Sequence, residues 1–186
     1  IPEVLSQSGA HLIEVGTANR TYAEDYVQAI TAETAALLAV HRSNFQVVGF
    51  TYQPSLMELS RIAKENELPL LYDLGSGSLL ETETFGLIHE PTPQESLAEG
   101  VDLVFFSGDK LLGGPQSGIV AGRADLIQRL ARHPLTRAMR PDKLTLAALH
   151  ATLLHYVRGE GILRIPIWQM ISTSADTLRK RANEWM

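Results

Sequence analysis

The sequence predicts an α/β fold, a three-layer sandwich around a mostly parallel sheet. Short apolar runs alternate with segments that begin on helix-capping signals, as strands and crossover helices do in such sheets. Two runs, Leu68-Pro69-Leu70-Leu71-Tyr72-Asp73 and Val101-Asp102-Leu103-Val104-Phe105-Phe106, are apolar almost throughout. Strands covered on both faces require that character.

The elements follow in order. A strand is expected near 10–15. Thr21-x-x-Glu24 has the form of a capping box and opens a helix at about 22–31. Strands are expected near 36–41 and 46–51. Ser55-x-x-Glu58 opens a helix at about 55–66, and a strand follows at 68–73. Thr92-x-x-Glu95 opens a helix at about 93–99, ahead of strands at 101–106 and 117–122. Ala124, Ile127, Leu130 and Ala131 mark a helix over 123–132, which Pro134 should break. A longer helix at about 142–157 should turn Leu144, Leu146, Ala147, Leu149, Leu153 and Leu154 to one apolar face. Arg158-Gly159-Glu160-Gly161 should end it, and Ser172 to Met186 reads as a last helix.

Composition narrows the function classes. The chain has 186 residues, 45% hydrophobic and 20% charged, with 14 Gly and 9 Pro. Such a length buries roughly 70% of the unfolded chain's surface. It has no cysteine, which excludes a disulfide framework and a thiolate metal site. His11, His41, His89, His133, His150 and His155 lack metal-ligand spacing, so no metal is assigned. No run reaches membrane-spanning length and the first residues do not resemble a signal peptide, so cytoplasm is the expected compartment. The net charge of −5 argues against broad electrostatic binding of nucleic acid by this segment.

The chemistry concentrates at Ser107-Gly108-Asp109-Lys110-Leu111-Leu112-Gly113-Gly114-Pro115-Gln116. An apolar strand delivers Lys110 into a glycine-rich turn, where partial desolvation would lower its pKa and make the amine a nucleophile towards an aldehyde. Pyridoxal phosphate is the aldehyde most often held in this way. Asp73 ends another apolar strand, and ligands of open parallel sheets bind at that edge. It suits a partner for a pyridine nitrogen, or an Asx-turn acceptor. Ser107, with the N–H groups around Gly108, suits a phosphate, as do Gly75, Ser76, Gly77 and Ser78. Asn44 suits a hydrogen bond to the cofactor ring, or a turn closed with Ser43. Asp109 steers the basicity of Lys110 or serves the turn. His41 reads as a polar strand-end residue. Arg137 and Arg140 are spaced i, i+3, which aims two guanidiniums at one oxyanion, or places both in solvent.

These segments resemble a known family. The lysine run through Gly118 is similar to the cofactor-lysine segment of bacterial selenocysteine synthases, the L-seryl-tRNA(Sec) selenium transferases. Ile1–Ala10, Glu14–Thr21, His41–Thr51, Tyr72–Gly77 and His133–Lys143 resemble further family segments in the same order. The resemblance runs from residue 1 to about 185. It implies the large domain of the aspartate-aminotransferase-like pyridoxal-phosphate superfamily over residues 1–135, N-terminally truncated. Residues 136–186 would form a connecting helix and the start of a C-terminal small domain.

For the site, the resemblance implies pyridoxal 5'-phosphate in a Schiff base with Lys110, Asp73 on the ring nitrogen, and Asp109 beside the Schiff base. Seryl-tRNA(Sec) would lose its α-proton and hydroxyl to give an aminoacrylyl intermediate, to which selenium from selenophosphate adds. Arg137 and Arg140 would hold the donor's anionic group. A homo-oligomer built from dimers is implied, with tRNA bound mainly by an N-terminal domain that precedes this segment. The chain begins without Met and reads as an internal piece, expected to be inactive alone. One rival is a paralogous pyridoxal-phosphate lyase acting on a small amino acid or amino-sugar acid without tRNA. Another is a cofactor-free scaffold.

Overall fold

The computed structural model describes residues 2–185. Ile1, where the family-like segments begin, and Met186, the end of the expected tail helix, lie outside the described residues. The elements are α1 (Pro2–Gln7), α2 (Ala23–Ala29), β1 (Leu37–Val40), α3 (Leu56–Glu65) and β2 (Leu70–Gly75). A 3₁₀ turn (Thr82–Phe85), α4 (Pro93–Ala98), β3 (Leu103–Ser107), β4 (Gly118–Gly122), α5 (Ala124–Arg132) and α6 (Pro134–Ala138) follow. The chain then runs through α7 (Lys143–Val157), α8 (Gly161–Arg164), α9 (Pro166–Ser172) and α10 (Ala175–Trp185).

The four strands pair in sequence order, β1-β2-β3-β4. The first three are parallel, with Leu37 opposite Leu70 and Tyr72 opposite Val104, whereas β4 runs antiparallel to β3. Helices α3 and α4 make the crossovers. Two of the three expected capping boxes form: the Ser55 and Thr92 side chains accept from the N–H groups of Glu58 and Glu95, whose carboxylates bond back. Period-2 alternation sends Leu37, Ala39, Leu70, Tyr72, Leu74, Val104 and Phe106 to one face, where Leu59, Ile62 and Ala63 of α3 cover them. Asp102 interrupts its apolar run for a local reason: its carboxylate accepts from Leu70 N (2.8 Å) and from Arg123 Nη1 (2.9 Å).

The opposite face carries Val40, Asp73, Phe105, Ser107 and Val120. It is less covered, with Val40 at 39% and Val120 at 38% exposure. Among the described residues no helix is long and apolar enough to cross a membrane.

Several expectations are corrected. Residues 10–15 and 46–51 form no strand, and the second run bends at Gly49 and Phe50. Among the described residues neither run joins a ladder; the bridge from Arg20 to Tyr52 lies just beyond them, beside a stack of Tyr22 on Tyr52 with ring centroids 4.8 Å apart. Ile13, Val48 and Phe50 stay exposed, so no burial rewards their pairing. Helix α2 starts one residue later than expected: Tyr22 is its N-cap, and Asp25 Oδ2 accepts from Tyr22 N (2.7 Å). Pro134 breaks α5 but also opens α6, because proline suits the first helical position.

Helix α7 forms on its Asp142 cap as expected, yet its leucines do not gather on one buried face. Leu144 is 83% exposed and Leu146 45%. Apolar residues lie all round this helix, so one supporting surface cannot cover them. Helices α1, α8 and α9 and the 3₁₀ turn were not anticipated.

Candidate functional site

The three parallel strands present their carboxyl ends at one edge of the sheet, where open α/β sheets bind ligands. A cleft of about 460 Å³ opens there. Ser43 and Asn44 line it after β1, Ser76 after β2, and Asp109, Lys110 and Leu111 after β3. Glu90 and Ile167 complete its wall.

The lysine turn is held by its own backbone. Gly108 N donates to Ser117 O (2.8 Å), Gly114 N to Gly108 O (2.8 Å) and Gly113 N to Lys110 O (2.9 Å). A side chain at Gly108 would stand 2.5 Å from Pro115 O and press on Ser117, so this position needs glycine for space. Leu111 N donates to Ser76 O (2.9 Å), which ties the lysine turn to the end of β2.

Leu112 is fully buried beneath the turn, and its carbonyl accepts from Tyr156 Oη (2.8 Å). Trp168 Nε1 donates to the same hydroxyl (2.6 Å). Burial pushes the Tyr156 phenol up to about 12, so it keeps the proton it donates. Tyr156→Phe leaves Leu112 O and Trp168 Nε1 without this partner. The expected result is a loss of about 1–3 kcal/mol in denaturant unfolding. Unchanged stability would show that the turn does not depend on this link.

Lys110 itself is exposed, as is Asp109, and Lys110 has no ion-pair partner among the described residues. The partial desolvation expected from the sequence is therefore not formed in this chain. The tied turn carries the side chain to the open mouth of the cleft rather than beneath the strands. There Nζ comes close to Gly75, which has φ +75°. A Cβ on Gly75 would stand 3.6 Å from Lys110 Nζ and 3.3 Å from Ser43 Oγ. Glycine keeps this space beside the amine clear.

Asp73 is half-buried, in register between Val40 and Phe105, and the register shifts between it and Gly75, which pairs with Phe106. Its carboxylate accepts no hydrogen bond among the described residues, so the Asx-turn alternative is not realised. Ser107 ends β3 opposite Gly118, half-buried, and does not line the cleft. Asn44 does line it, and its Oδ1 meets Ser43 Oγ only at 3.5 Å. Arg137 lies in the last turn of α6 and Arg140 just past its C-cap, Met139. Both are exposed and neither lines the cleft.

Glu90 is a site residue that the sequence reading missed. It sits in a loop with no spacing signal, two residues before the Thr92 cap. His41 Nε2 lies 3.2 Å from Glu90 Oε1. Both atoms are buried, and neither has a hydrogen-bond partner.

A family model described as L-seryl-tRNA selenium transferase matches residues 1–185. An L-seryl-tRNA(Sec) selenium transferase from Geobacter metallireducens is 53% identical over 187 residues, covering 100% of this chain and 40% of that protein. Another from Carboxydothermus hydrogenoformans is 48% identical over 184 residues, 99% of this chain and 40% of that protein. The chain thus spans about 40% of the length of the curated relatives it matches.

Among solved structures, a D-glucosaminate-6-phosphate ammonia-lyase aligns with TM-score 0.66 at 25% identity, over 85% of this chain and 39% of that one. An aspartate aminotransferase from Thermus thermophilus aligns with TM-score 0.63 at 21% identity, over 98% of this chain and 45% of that one. The fold is the α/β fold of aspartate-aminotransferase-like enzymes.

Proposed function

The chain belongs to the L-seryl-tRNA selenium transferase family, and on that premise we propose that it carries the cofactor-binding core of a pyridoxal-phosphate-dependent transferase. The reaction is conversion of seryl-tRNA(Sec) to selenocysteinyl-tRNA(Sec), with selenophosphate as the selenium donor. The observation that carries this reading is Lys110 on a backbone-tied turn at the carboxyl edge of the sheet, with its amine against a glycine that leaves room for a flat ring. The ammonia-lyase likeness covers less of the chain at about half the identity, so it supports the shared fold more than a tRNA-independent lyase.

Pyridoxal phosphate, when bound, supplies an electron sink for the serine α-carbon. The residues of this chain do the rest. Lys110 would hold the cofactor aldehyde and would serve as the base for the substrate α-proton. Asp73, on the less covered sheet face, would partner the ring nitrogen and favour its protonated form. Asn44 holds the ring, and Ser107 contributes to the phosphate site. Asp109 orients the lysine. The serine α-proton and hydroxyl would leave as water, and selenium would join the β-carbon with its P–Se bond broken by water and inorganic phosphate released.

Residues 1–135 serve as the cofactor domain, and residues 136–186 lead into a second domain. The active form is a homo-oligomer of dimers in the cytoplasm. Arg137 and Arg140 hold the anionic part of selenophosphate. Because neither lines the Lys110 cleft within one copy, they act there only when brought to it by assembly or closure.

The test is formation of selenocysteinyl-tRNA from seryl-tRNA(Sec) and selenophosphate by the chain in its full-length context. Release of ammonia from a small amino acid without tRNA would instead favour the lyase. Arg140→Ala is expected to weaken use of selenophosphate by roughly 10- to 150-fold, the value of one charge-assisted contact. Binding of seryl-tRNA should survive. Arg140→Lys should rescue poorly, since an ammonium does not reproduce a bidentate fork. Loss of tRNA binding with a normal donor dependence would make the pair a basic surface for tRNA.

A further inference from the structure

Three buried side-chain polar atoms among the described residues lack a hydrogen-bond partner: His41 Nε2, Ser76 Oγ and Glu90 Oε1. Ser76 and Glu90 line the Lys110 cleft, and His41 stands against Glu90. Native proteins rarely leave such atoms unpaired, so a cluster of them on one cleft points to a ligand. His41 and Glu90 face each other. Ser76 faces nothing, although the residue is only 5% exposed.

The surroundings of Ser76 fix what its hydroxyl is for. Its N–H donates to Leu74 O (2.9 Å) and its carbonyl accepts from Leu111 N (2.9 Å), so both backbone groups are engaged. The hydroxyl is the free polar group at this point. Leu111 follows Lys110, and Gly75, which precedes Ser76, is the residue against Lys110 Nζ. Ser76 is thus joined through its backbone to Leu111 and Gly75, which flank the lysine amine, and it lines the same cleft as Lys110.

Resting on the cofactor reading above, we propose that Ser76 Oγ donates a hydrogen bond to the phenolic oxygen of the pyridoxal ring. That oxygen is on the ring carbon next to the one bearing the aldehyde. It is the polar group nearest, through bonds, to the atom joined to Lys110. The phosphate lies further away, beyond a methylene and an ester oxygen. A phenolate also requires a donor, and a serine hydroxyl is one.

The sign of the effect follows. A donor to the phenolate stabilises the form in which the nitrogen of the ring–lysine bond has lost its proton, so it lowers the pKa of the chromophore. Removing it raises that pKa.

The experiment is a pH titration of the visible absorbance of the full-length protein loaded with pyridoxal phosphate. Ser76→Ala is expected to raise the chromophore pKa by roughly one to two units. Ser76→Cys, which keeps a weak donor, should shift it less. Thermal unfolding of the cofactor-free proteins provides a second reading. There Ser76→Ala should be no less stable than the parent, because it removes an unpaired buried hydroxyl.

An unchanged chromophore pKa in Ser76→Ala overturns the proposal. If cofactor retention falls at the same time, the hydroxyl serves the phosphate instead. If the parent protein gives no visible band at all, the cofactor reading itself fails, and this inference with it.

Discussion

Lys110→Ala abolishes turnover, with an expected loss on the order of a thousandfold or more. The substitution removes both the group that holds the cofactor aldehyde and the base that moves the α-proton. A positioned base alone is worth roughly 10²–10⁴-fold. The fold should not notice. Lys110 is exposed and has no ion-pair partner among the described residues. The turn around it is held by backbone hydrogen bonds and by the buried Leu112. Stability should therefore stay within about 0.5 kcal/mol of the parent, as for other surface changes. Lys110→Arg should not rescue, because a guanidinium stays protonated and cannot attack an aldehyde. The check is turnover and denaturant unfolding on the same samples. Substantial residual turnover in a stable Lys110→Ala protein would move the chemistry elsewhere.

Asp73→Asn retains the cofactor but slows α-proton removal by roughly ten- to thousandfold. A carboxylate beside a cationic nitrogen shifts the proton equilibrium by about one to three pKa units, and the amide forfeits that shift. Shape is kept, so binding should change little. Asp73 is half-buried and its carboxylate accepts no hydrogen bond from the protein among the described residues, which leaves that group available to a ligand. The measurement is exchange of the substrate α-proton at saturating cofactor. Near-parental exchange in Asp73→Asn would leave the aspartate as a strand-end residue only.

What the sequence made legible was local. The runs around Leu70 and Val104 read as buried parallel strands because both faces demand apolar side chains. Ser55 and Thr92 read as helix starts because a capping box lies within four residues. Lys110 was legible because the strand before it and the glycines after it are contiguous with it. The errors share the opposite cause. Residues 10–15 and 46–51 have strand-like composition, but a strand exists only if a neighbour pairs with it, and among the described residues neither run pairs; the bridge between Arg20 and Tyr52 lies just beyond them. The leucines of α7 surround the helix, so their burial depends on what packs there and not on their spacing. Tyr22 displaced Thr21 as the cap because the Asp25 carboxylate reached back to its N–H.

The candidate site divided in the same way. Lys110, Asp109 and Asn44 meet at the cleft because each follows a strand end at one edge of the sheet. Glu90 reaches that edge through a loop with no periodicity, and Ser76 was legible only as one of several small residues after Asp73. Its unpaired hydroxyl is a three-dimensional fact. The exposure of Lys110 is another, since desolvation depends on what surrounds the turn.

Reductive trapping tests the central claim most directly. Borohydride treatment of the full-length protein loaded with pyridoxal phosphate, followed by peptide mapping, should place the reduced cofactor on the peptide containing Lys110. The chain has three other lysines that could compete, Lys64, Lys143 and Lys180. A label confined to Lys110 is the predicted result, and a label on any of those three in its place would contradict the account.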